Sequence, residues 1–202
     1  MQDLQFDELS RRFKEHGFSL YIIGGTSRDL LLGREFLDRD YCTDATPKDM
    51  RLFLSEANFV FANFGSVRYP SSFGEVDITT LREEGEYLDH RHPSKITFVK
   101  DTKLDYLRRD FTVNAIYLDE DYKIIDYCGG MDDLHNKVIR FIGEAKKRVE
   151  EDPLRILRAE RFSKVLGFEI EPNSQRAMDE GRSLLKLLNP AKVEEERKKL
   201  ER

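Results

Sequence analysis

The chain has 202 residues, of which 39% are hydrophobic, 11% aromatic and 36% charged, and its net charge is -5. This composition supports one substantial core, with or without a small helical extension, and excludes a wholly disordered chain. The acidic balance argues against a protein that coats nucleic acid nonspecifically, but it leaves room for a local basic groove. Cys42 and Cys128 lack metal-type spacing and no apolar run is long enough to span a membrane, so we expect a soluble, cytoplasmic domain.

A predicted helix over residues 4–16 and a predicted strand lead directly into a pair of glycines. The helix that follows is expected to be capped by Thr26 or Ser27. A strand, Gly24, Gly25 and a helix start together present backbone N–H groups to an anion, and Arg28 adds a guanidinium for phosphate oxygens. Taken alone, the pattern is more simply explained as a tight turn with a surface arginine.

Residues 36–43 mix aromatic and β-branched side chains with polar ones and predict a short strand. Side chains two apart share a face, so Asp38 and Asp40 present two carboxylates on one patch of backbone. Two such carboxylates are costly to hold unless a cation lies between them, and Mg²⁺ is the natural one because it takes oxygen ligands. Taken alone, an Asp-x-Asp pair also fits the solvated end of a strand.

The next segment predicts a helix and then a hairpin. A helix capped by Thr46 is expected over residues 47–57, and strands over residues 59–82 are expected to turn at residues 69–72. Alternation in the second strand sets Asp77 on the polar face, where it is a candidate third carboxylate. An exposed strand residue is an equally good explanation of Asp77 by itself.

After a charged loop, short strands and a turn, the chain changes character near residue 143. From there on helices are predicted over residues 145–165, 174–188 and 191–202, with one short strand at 168–170. We therefore place a domain boundary near residue 143.

Within the first of these helices, Asp152, Arg155 and Arg158 recur every three residues and are expected to form one ridge. As an ion-pair ladder, the ridge would stabilise the helix only slightly. As a recognition edge, a carboxylate would accept a hydrogen bond from an exocyclic amine while a guanidinium donates to a ring nitrogen or carbonyl. Cytosine and adenine present that amine, whereas uracil and guanine present a carbonyl oxygen, so such a pair would select C and A.

Six short motifs follow one another between residues 18 and 190: Gly24-Gly25-x-x-Arg28-Asp29, Asp38-x-Asp40, Asp77-Ile-Thr-Thr-Leu-Arg82, Tyr87-x-Asp89-x-Arg91-x-Pro93, Arg108-Arg109-Asp110-Phe-Thr-x-Asn114-Ala115 and Glu151-Asp152-Pro-Leu-Arg155-Ile-Leu-Arg158-Ala-x-Arg161-Phe162. Each motif is weakly specific by itself. In this order and spacing, the set resembles the class II tRNA nucleotidyltransferase and bacterial poly(A) polymerase family, of the polymerase-β superfamily.

The resemblance implies an α+β fold: a nucleotidyltransferase head with a small mixed β-sheet flanked by helices, over residues 1–143, and an all-helical neck over residues 144–202. It implies an enzyme that adds CMP and AMP from CTP and ATP to the 3′ end of tRNA without a nucleic-acid template, releasing pyrophosphate. The expected cofactor is Mg²⁺ and the expected partners are tRNA, CTP and ATP, with no membrane. Oligomeric state stays open.

The chemistry would fall to Asp38, Asp40 and Asp77, which by the resemblance bind two Mg²⁺ ions. One ion would lower the pKa of the RNA 3′-hydroxyl, and the other would neutralise charge on the leaving pyrophosphate. The glycine pair, with Gly24 making the turn, and Arg28 would hold the incoming triphosphate.

Recognition of the nucleotide would fall to a second group of residues, with Asp152 and Arg155 reading the base. The loop over residues 83–93, which contains Asp89 and Arg91, would be the flexible element that helps the switch from C to A addition. The nucleotide contacts that the resemblance implies are Arg109, Asp152, Arg155, Arg158 and Arg161.

Three departures stand out from the family's pattern. Arg39 occupies a usually apolar position on the face that should pack, and Thr26 and Ser27 replace the usual pair of small apolar residues. Asp77 is one methylene shorter than the family's glutamate, so the metal geometry must adjust. The family's body and tail domains are absent from these 202 residues, so we interpret the chain as a head-plus-neck fragment, or a minimal or split form.

Several alternatives stay open. A poly(A) polymerase is disfavoured because no basic-aromatic insertion precedes the third carboxylate, and a CC-adding enzyme is disfavoured because it would lack the loop at residues 87–93. A weak nucleotide-binding fragment without its tRNA-binding half remains possible, and the sequence does not decide between addition of C, of A, or of both. A dinucleotide-binding oxidoreductase is excluded because no third glycine stands at the required spacing.

Overall fold

A computed structural model of the chain describes residues 2–36 and 38–201. Leu37, within the strand predicted at residues 36–43, lies outside the described residues, as do Met1 and Arg202 at the ends of the predicted domains. The fold is α+β, as predicted. It contains a mixed β-sheet, and helices come before, between and after its strands along the chain.

The helices are α1 (Leu4–Glu15), α2 (Gly24–Leu31), α3 (Pro47–Met50), α4 (Thr102–Asp105), α5 (Gly130–Asn136), α6 (Ala145–Glu151), α7 (Leu154–Leu166), α8 (Pro172–Gly181) and α9 (Pro190–Glu201). The strands are β1 (Leu20–Ile22), β2 (Arg39–Thr43), β3 (Ser66–Ser71), β4 (Gly74–Thr80), β5 (Arg82–Glu84), β6 (Ile96–Phe98), β7 (Tyr117–Leu118), β8 (Ile124–Ile125), β9 (Val138–Ile139) and β10 (Glu169–Ile170). Short 3₁₀ turns cover Ala62–Phe64, Tyr106–Arg108, Thr112–Asn114 and Arg182–Leu187.

The main sheet has the strand order β3-β4-β2-β1-β7-β8. Strand β2 pairs in parallel with β4 and antiparallel with β1, while the β3–β4 and β7–β8 pairs are antiparallel hairpins. In the parallel pair, Asp40 lies opposite Asp77. The sheet is therefore mixed, as predicted, and its register makes neighbours of two acidic residues that are far apart in sequence.

The chain forms two compact units. The first unit comprises Met1–Glu83, Ile96–Arg108 and Asn114–Tyr127, and the second comprises Glu84–Lys95, Arg109–Val113 and Cys128–Arg202. The domain boundary near residue 143 stays a prediction, because residues 128–143 group with the helices that follow them.

The core of the first unit forms where α1 packs on the sheet. Phe6, Leu9 and Phe13 recur at helical spacing on one face of α1, and each is at most 1% exposed. They pack in one cluster with sheet residues that include Ile22 and Tyr41. The helix predicted at the start of the chain is thereby confirmed, and its buried face anchors the strands that follow.

Arg39, predicted to face the packed side of its strand, is accommodated there by a buried carboxylate. Its Nε lies 3.2 Å from Asp3 Oδ1, and its side chain is 13% exposed. Asp3 Oδ2 also accepts a hydrogen bond from the Tyr41 hydroxyl at 2.5 Å, and Asp3 caps the N-terminus of α1. The Arg39 guanidinium lies 5.2 Å from the ring centroid of Phe36 and 5.1 Å from that of Phe73. A charged residue is therefore tolerated on this face, because its guanidinium pairs with a buried carboxylate and lies against two aromatic rings.

Three predicted boundaries are wrong in extent. The strand predicted from residue 36 begins at Arg39, and the hairpin turns after Ser71 rather than at residues 69–72. The helix capped by Thr46 has the predicted cap and a capping box with Asp49, but it ends at Met50 instead of continuing to residue 57.

Among the described residues, no helix is long and apolar enough to cross a membrane.

The single helix predicted over residues 145–165 is broken into α6 and α7 at Asp152 and Pro153. Proline has no N–H to donate and restricts the preceding residue to extended backbone, and Asp152 accordingly has φ -146° and ψ 95°. The predicted ridge is therefore wrong, because Asp152 lies in the break and not on the helix that carries Arg155 and Arg158.

Replacing the buried Asp3 should cost far more stability than replacing a helix cap alone. We expect Asp3→Ala to lower the free energy of unfolding by about 3 kcal/mol, because it removes a cap and leaves the Arg39 guanidinium without its buried carboxylate. Asp101→Ala, which removes the exposed cap of α4, should cost about 1 kcal/mol. Urea unfolding measures both changes, and equal losses would contradict a stabilising role for the Asp3–Arg39 pair.

Candidate active site

Acidic side chains gather at the start of β2 and on its parallel neighbour. Asp40 lies opposite Asp77 in the β2–β4 register, and Asp38 is exposed just before β2 begins. Burial raises the pKa of Asp77, and the nearby Asp38 charge raises it further. The three carboxylates predicted from the sequence therefore lie in one region of the first unit.

The turn between β1 and α2 brings two glycines against one of these carboxylates. Gly24 has φ +70°, and a Cβ at this position would lie 3.1 Å from Asp40 Oδ2. A Cβ on Gly25 would lie 3.9 Å from the same oxygen. Glycine is therefore favoured at residue 24 both by its backbone conformation and by the approach of the Asp40 side chain.

The N-terminus of α2 begins directly after β1. The predicted caps are wrong: α2 starts at Gly24 with Ile23 in the cap position, and Thr26 and Ser27 lie inside the first turn. Ile23 makes no side-chain cap hydrogen bond to this helix. The first N–H groups and the positive end of the dipole are the features of a helix start that an anion requires, and anion binding by this turn stays a prediction.

Arg28 is held beside this helix start. It is 6% exposed, and its Nη2 lies 3.6 Å from where a Cβ on Gly25 would be. Nη1 donates to Asn114 Oδ1 at 2.8 Å, while Nε and Nη2 donate to the two carboxylate oxygens of Asp29 at 2.9 and 2.8 Å. Asn114 was not predicted as a site residue, although it belongs to one of the sequence motifs. Its contact fixes the direction of the guanidinium, and triphosphate binding by Arg28 stays a prediction.

Asp77 has a cationic neighbour that the sequence reasoning missed. Arg68 lies opposite Asp77 in the β3–β4 hairpin, and its Nε is 3.3 Å from Asp77 Oδ1. The Arg68 charge lowers the pKa of Asp77, in opposition to burial. The guanidinium also lies 5.3 Å from the ring centroid of Phe61. The alternation of side chains along the hairpin was the signal that could have identified this pair.

The donor set fits a magnesium site that substrate phosphates complete. Among residues 2–36 and 38–201, no three His, Cys, Asp or Glu side chains converge closely enough to hold a metal ion by themselves. Mg²⁺, however, is usually bound by one or two carboxylates together with waters and substrate phosphates. Asp38 and Asp40 supply hard oxygen donors beside the start of α2, and Asp77 is engaged by Arg68. Their metal ligation stays a prediction.

In the second unit, the predicted base-reading carboxylate contacts the predicted flexible loop. Asp152 is 8% exposed, and its Oδ2 lies 2.5 Å from Nη1 of Arg91. Its Oδ1 accepts from the backbone N–H of Leu154 at 3.1 Å, as a cap does. Burial raises the pKa of Asp152, while the Arg91 and Arg155 charges lower it. Both carboxylate oxygens are therefore occupied here, one of them by a loop residue.

Arg155 is held by an acidic neighbour that the sequence reasoning did not single out. It is 5% exposed, and its Nη1 donates to Glu151 Oε2 at 2.9 Å and to the Arg148 carbonyl at 2.8 Å. Glu151 also accepts from Nη1 of Arg148 at 2.5 Å. The Arg155 guanidinium lies 5.7 Å from the ring centroid of Tyr87, on the same loop as Arg91. Loop and helix residues thus form one cluster within the second unit.

The two remaining arginines of this motif meet acidic partners. Arg158 donates from Nε and Nη2 to Asp110 Oδ2 at 2.8 and 2.5 Å. Arg161 Nε lies 3.7 Å from Glu196 Oε2 on α9. These pairs connect α7 to its neighbours within the second unit, and phosphate contacts by Arg158 and Arg161 stay predictions.

Two further predicted site residues, Arg109 and Asp89, have contacts that hold the backbone of the second unit. The Arg109 carbonyl accepts from Nη2 of Arg148 at 2.8 Å, which anchors its backbone. Asp89 accepts from the backbone N–H groups of Arg91 and His92 at 3.0 and 2.7 Å, which shapes the loop turn. Nucleotide contact by Arg109 and the switching role of the loop that contains Asp89 stay predictions.

Comparison with known proteins gives a consistent family. A family model described as "Poly A polymerase head domain" matches residues 20–140. The CCA-adding enzyme of Geobacillus stearothermophilus is 38% identical over 190 residues, which are 94% of this chain and 47% of that enzyme. The chain therefore spans about half the length of the curated relatives it matches.

Solved structures match the fold closely. The Bacillus stearothermophilus CCA-adding enzyme in complex with CTP gives a TM-score of 0.89 at 34% identity, over 98% of this chain and 49% of that one. A tRNA nucleotidyltransferase complexed with a primer tRNA and an incoming ATP analog gives 0.76 at 31% identity, over 94% of this chain and 55% of that one.

The contact between Gly24 and Asp40 can be separated from backbone strain. Gly24→Ala and Gly33→Ala both force alanine into left-handed backbone, but a Cβ on Gly33 meets nothing within 4 Å. We expect each to lower unfolding stability by about 1 kcal/mol. Only Gly24→Ala should also weaken CTP binding, measured by calorimetry, because its methyl group displaces the Asp40 carboxylate. Equal CTP affinity in the two variants would contradict this assignment.

The Asp110–Arg158 pair should give the second unit a defined acid sensitivity. Burial by itself would raise the pKa of Asp110, but the Arg158 charge and hydrogen bonds outweigh it and hold the pKa at about 2. A carboxyl whose pKa is depressed in the folded state contributes stability above its unfolded pKa of about 4, and loses it as the pH falls towards 2.

Asp110→Asn should therefore cost about 3 kcal/mol at pH 7, and this cost should shrink below about pH 4. Urea unfolding from pH 7 down to pH 3 measures it. Asp179→Asn, at an exposed carboxylate of the same unit, is the control and should have little effect at any pH. A cost for Asp110→Asn that stays constant down to pH 3 would rule out this origin.

Proposed function

The chain belongs to the Poly A polymerase head domain family, and from this premise we propose that it carries the head and neck of an RNA nucleotidyltransferase. It adds CMP and AMP from CTP and ATP to the 3′ end of a tRNA and releases pyrophosphate. The observation that carries the proposal is the register of Asp40 opposite Asp77, beside the start of α2. The relatives named CCA-adding enzymes, and the related structures with CTP and with a primer tRNA and an ATP analog, support it.

The first unit supplies the residues for phosphoryl transfer. Asp38, Asp40 and Asp77 would hold Mg²⁺, which would supply acidification of the RNA 3′-hydroxyl and neutralisation of charge on the pyrophosphate. The N–H groups at the start of α2 bind the triphosphate, and Arg28 adds a charged fork to them. The left-handed Gly24 supports this assignment because it brings that helix start against the Asp40 carboxylate.

The second unit supplies base selection. The carboxylate of Asp152 accepts from the exocyclic amine of C or A, while Arg155 donates to the ring. Arg109, Arg158 and Arg161 position the nucleotide around them.

The contact between the loop residue Arg91 and the base-reading Asp152 couples base selection to a change in loop conformation. The pair between Arg91 and Asp152 supports the loop at residues 83–93 as the switching element, because reading a base requires this carboxylate to exchange one partner for another. Asp89 shapes the turn of that loop through its backbone hydrogen bonds.

A second candidate is a nucleotide-binding module without useful turnover. Such a module would bind CTP and ATP at the same residues without transferring a nucleotide. A poly(A) polymerase and a partial C-adding or A-adding enzyme are alternatives of the same family, and they differ from a CCA-adding enzyme in their product.

Primer extension distinguishes these functions. A tRNA lacking its CCA end, with Mg²⁺ and single nucleotides or mixtures of them, should gain two C residues and then one A. Asp40→Asn should lower the rate more than about 100-fold because a carboxylate of the metal site is lost. Asp121→Asn, at an exposed carboxylate of the same unit, is the matched control and should leave the rate unchanged.

Each other product points to a different function. Bound CTP and ATP without incorporation would support the binding module, and runs of A would identify a poly(A) polymerase. Equal use of all four nucleotides would contradict base reading by Asp152 and Arg155.

A further inference from the structure

One buried hydroxyl connects the backbone of the two neighbouring aspartates. Thr26 Oγ1 accepts from the Asp40 N–H at 2.8 Å and donates to the Asp38 carbonyl at 3.1 Å. Thr26 is 1% exposed and lies in the first turn of α2. The hydroxyl thus spans the two peptide groups on either side of Arg39.

The place of this contact in the sheet explains why it matters. The paired register of β1 and β2 ends at Ile22 opposite Tyr41, the Ile23 N–H still donates to the Asp40 carbonyl at 3.1 Å, and beyond that point the chain turns into α2. Asp38 itself precedes β2 and has no strand partner among the described residues. On this edge Thr26 provides the hydrogen bonds that a longer β1 would otherwise give to the backbone of β2.

We propose that Thr26 is a positioning residue for Asp38 and Asp40. Its hydroxyl fixes the backbone that carries both carboxylates against the same helix turn whose N–H groups face the triphosphate. Together with the hydrogen bond from the Ile23 N–H to the Asp40 carbonyl, this side chain sets the spacing between the carboxylates and the start of α2. This role deepens the proposed function and rests on it.

Threonine suits the task for two reasons. A hydroxyl donates and accepts at once, which the N–H of Asp40 and the carbonyl of Asp38 together require. The branched Cβ restricts χ1, so the hydroxyl is held in place. Serine keeps the first property and weakens the second, whereas valine keeps the shape and removes both hydrogen bonds.

The chain offers a matched control on the same strand. Thr43 is 0% exposed, and its Oγ1 donates to the Ser19 carbonyl at 2.6 Å and accepts from the Ala45 N–H at 3.1 Å. It therefore makes the same pair of bonds at the other end of β2, away from the aspartates. Thr43→Val removes equivalent hydrogen bonds without touching the proposed site.

The experiment compares Thr26→Val, Thr26→Ser and Thr43→Val in the whole chain. Thermal unfolding should show similar losses of stability for the two valine variants. Thr26→Val alone should weaken Mn²⁺ binding, measured by the spin resonance of free Mn²⁺, by about tenfold, and should lower kcat about tenfold to a hundredfold through misplaced carboxylates. Amide exchange at Asp40 should accelerate in Thr26→Val and not in Thr43→Val, and Thr26→Ser should recover most of each effect.

Two results would overturn the proposal. One is an equal effect of Thr26→Val and Thr43→Val on Mn²⁺ affinity, which would make the role of Thr26 merely structural. The other is an unchanged Asp40 amide exchange rate in Thr26→Val. Absence of nucleotide transfer by the unmodified chain would count against the proposed function instead, while amide exchange and Mn²⁺ affinity would still decide the role of Thr26.

Discussion

Strands β2 and β4 pair in parallel with Asp40 opposite Asp77, and the rest of the candidate site depends on this register. Because side chains alternate along a strand, a slip of one residue would turn either carboxylate to the opposite face of the sheet. The register is protected by burial on both strands, where Tyr41, Val76 and Ile78 are at most 1% exposed. The hydrophobic core therefore determines where the acidic residues meet, although none of its members takes part in the chemistry.

Concentrating negative charge on this sheet has an electrostatic cost that neighbouring cations offset. Arg68 lies against Asp77 on the acidic side. On the packed side the signs are reversed, because the sheet residue Arg39 is positive and the buried carboxylate of Asp3 pairs with it. The sheet thus carries charged residues on both faces, and Asp77 and Arg39 are each paired with a residue of opposite sign from another element.

Patterns that depend on local backbone geometry were readable from the sequence. Alternation identified Asp38, Asp40 and Asp77 as candidates for one face, and helical periodicity identified α1. The three-residue spacing of Asp152 and Arg155 fits a continuous helix. The proline between them nevertheless breaks the helix, because it restricts Asp152 to extended backbone. The partners of the site residues, such as Arg68 for Asp77 and Arg91 for Asp152, could not be predicted, because they depend on pairings between segments distant in sequence. Thr26 was expected to cap a helix, and its actual contacts follow from the closeness of α2 to β2, which the sequence does not specify.

The central claim is that the metal-binding carboxylates and the triphosphate lie together in the first unit, where β2 and β4 meet the start of α2. A crystal structure of the chain with CTP and Mn²⁺ tests it most directly, because the anomalous signal locates the metal independently of the phosphates. We expect carboxylate oxygens of Asp38 and Asp40 within about 2.2 Å of the metal, by analogy with Mg²⁺, and phosphate oxygens at the N–H groups of Gly24 and Gly25. A metal bound without Asp40, or a triphosphate bound away from the start of α2, would contradict the account.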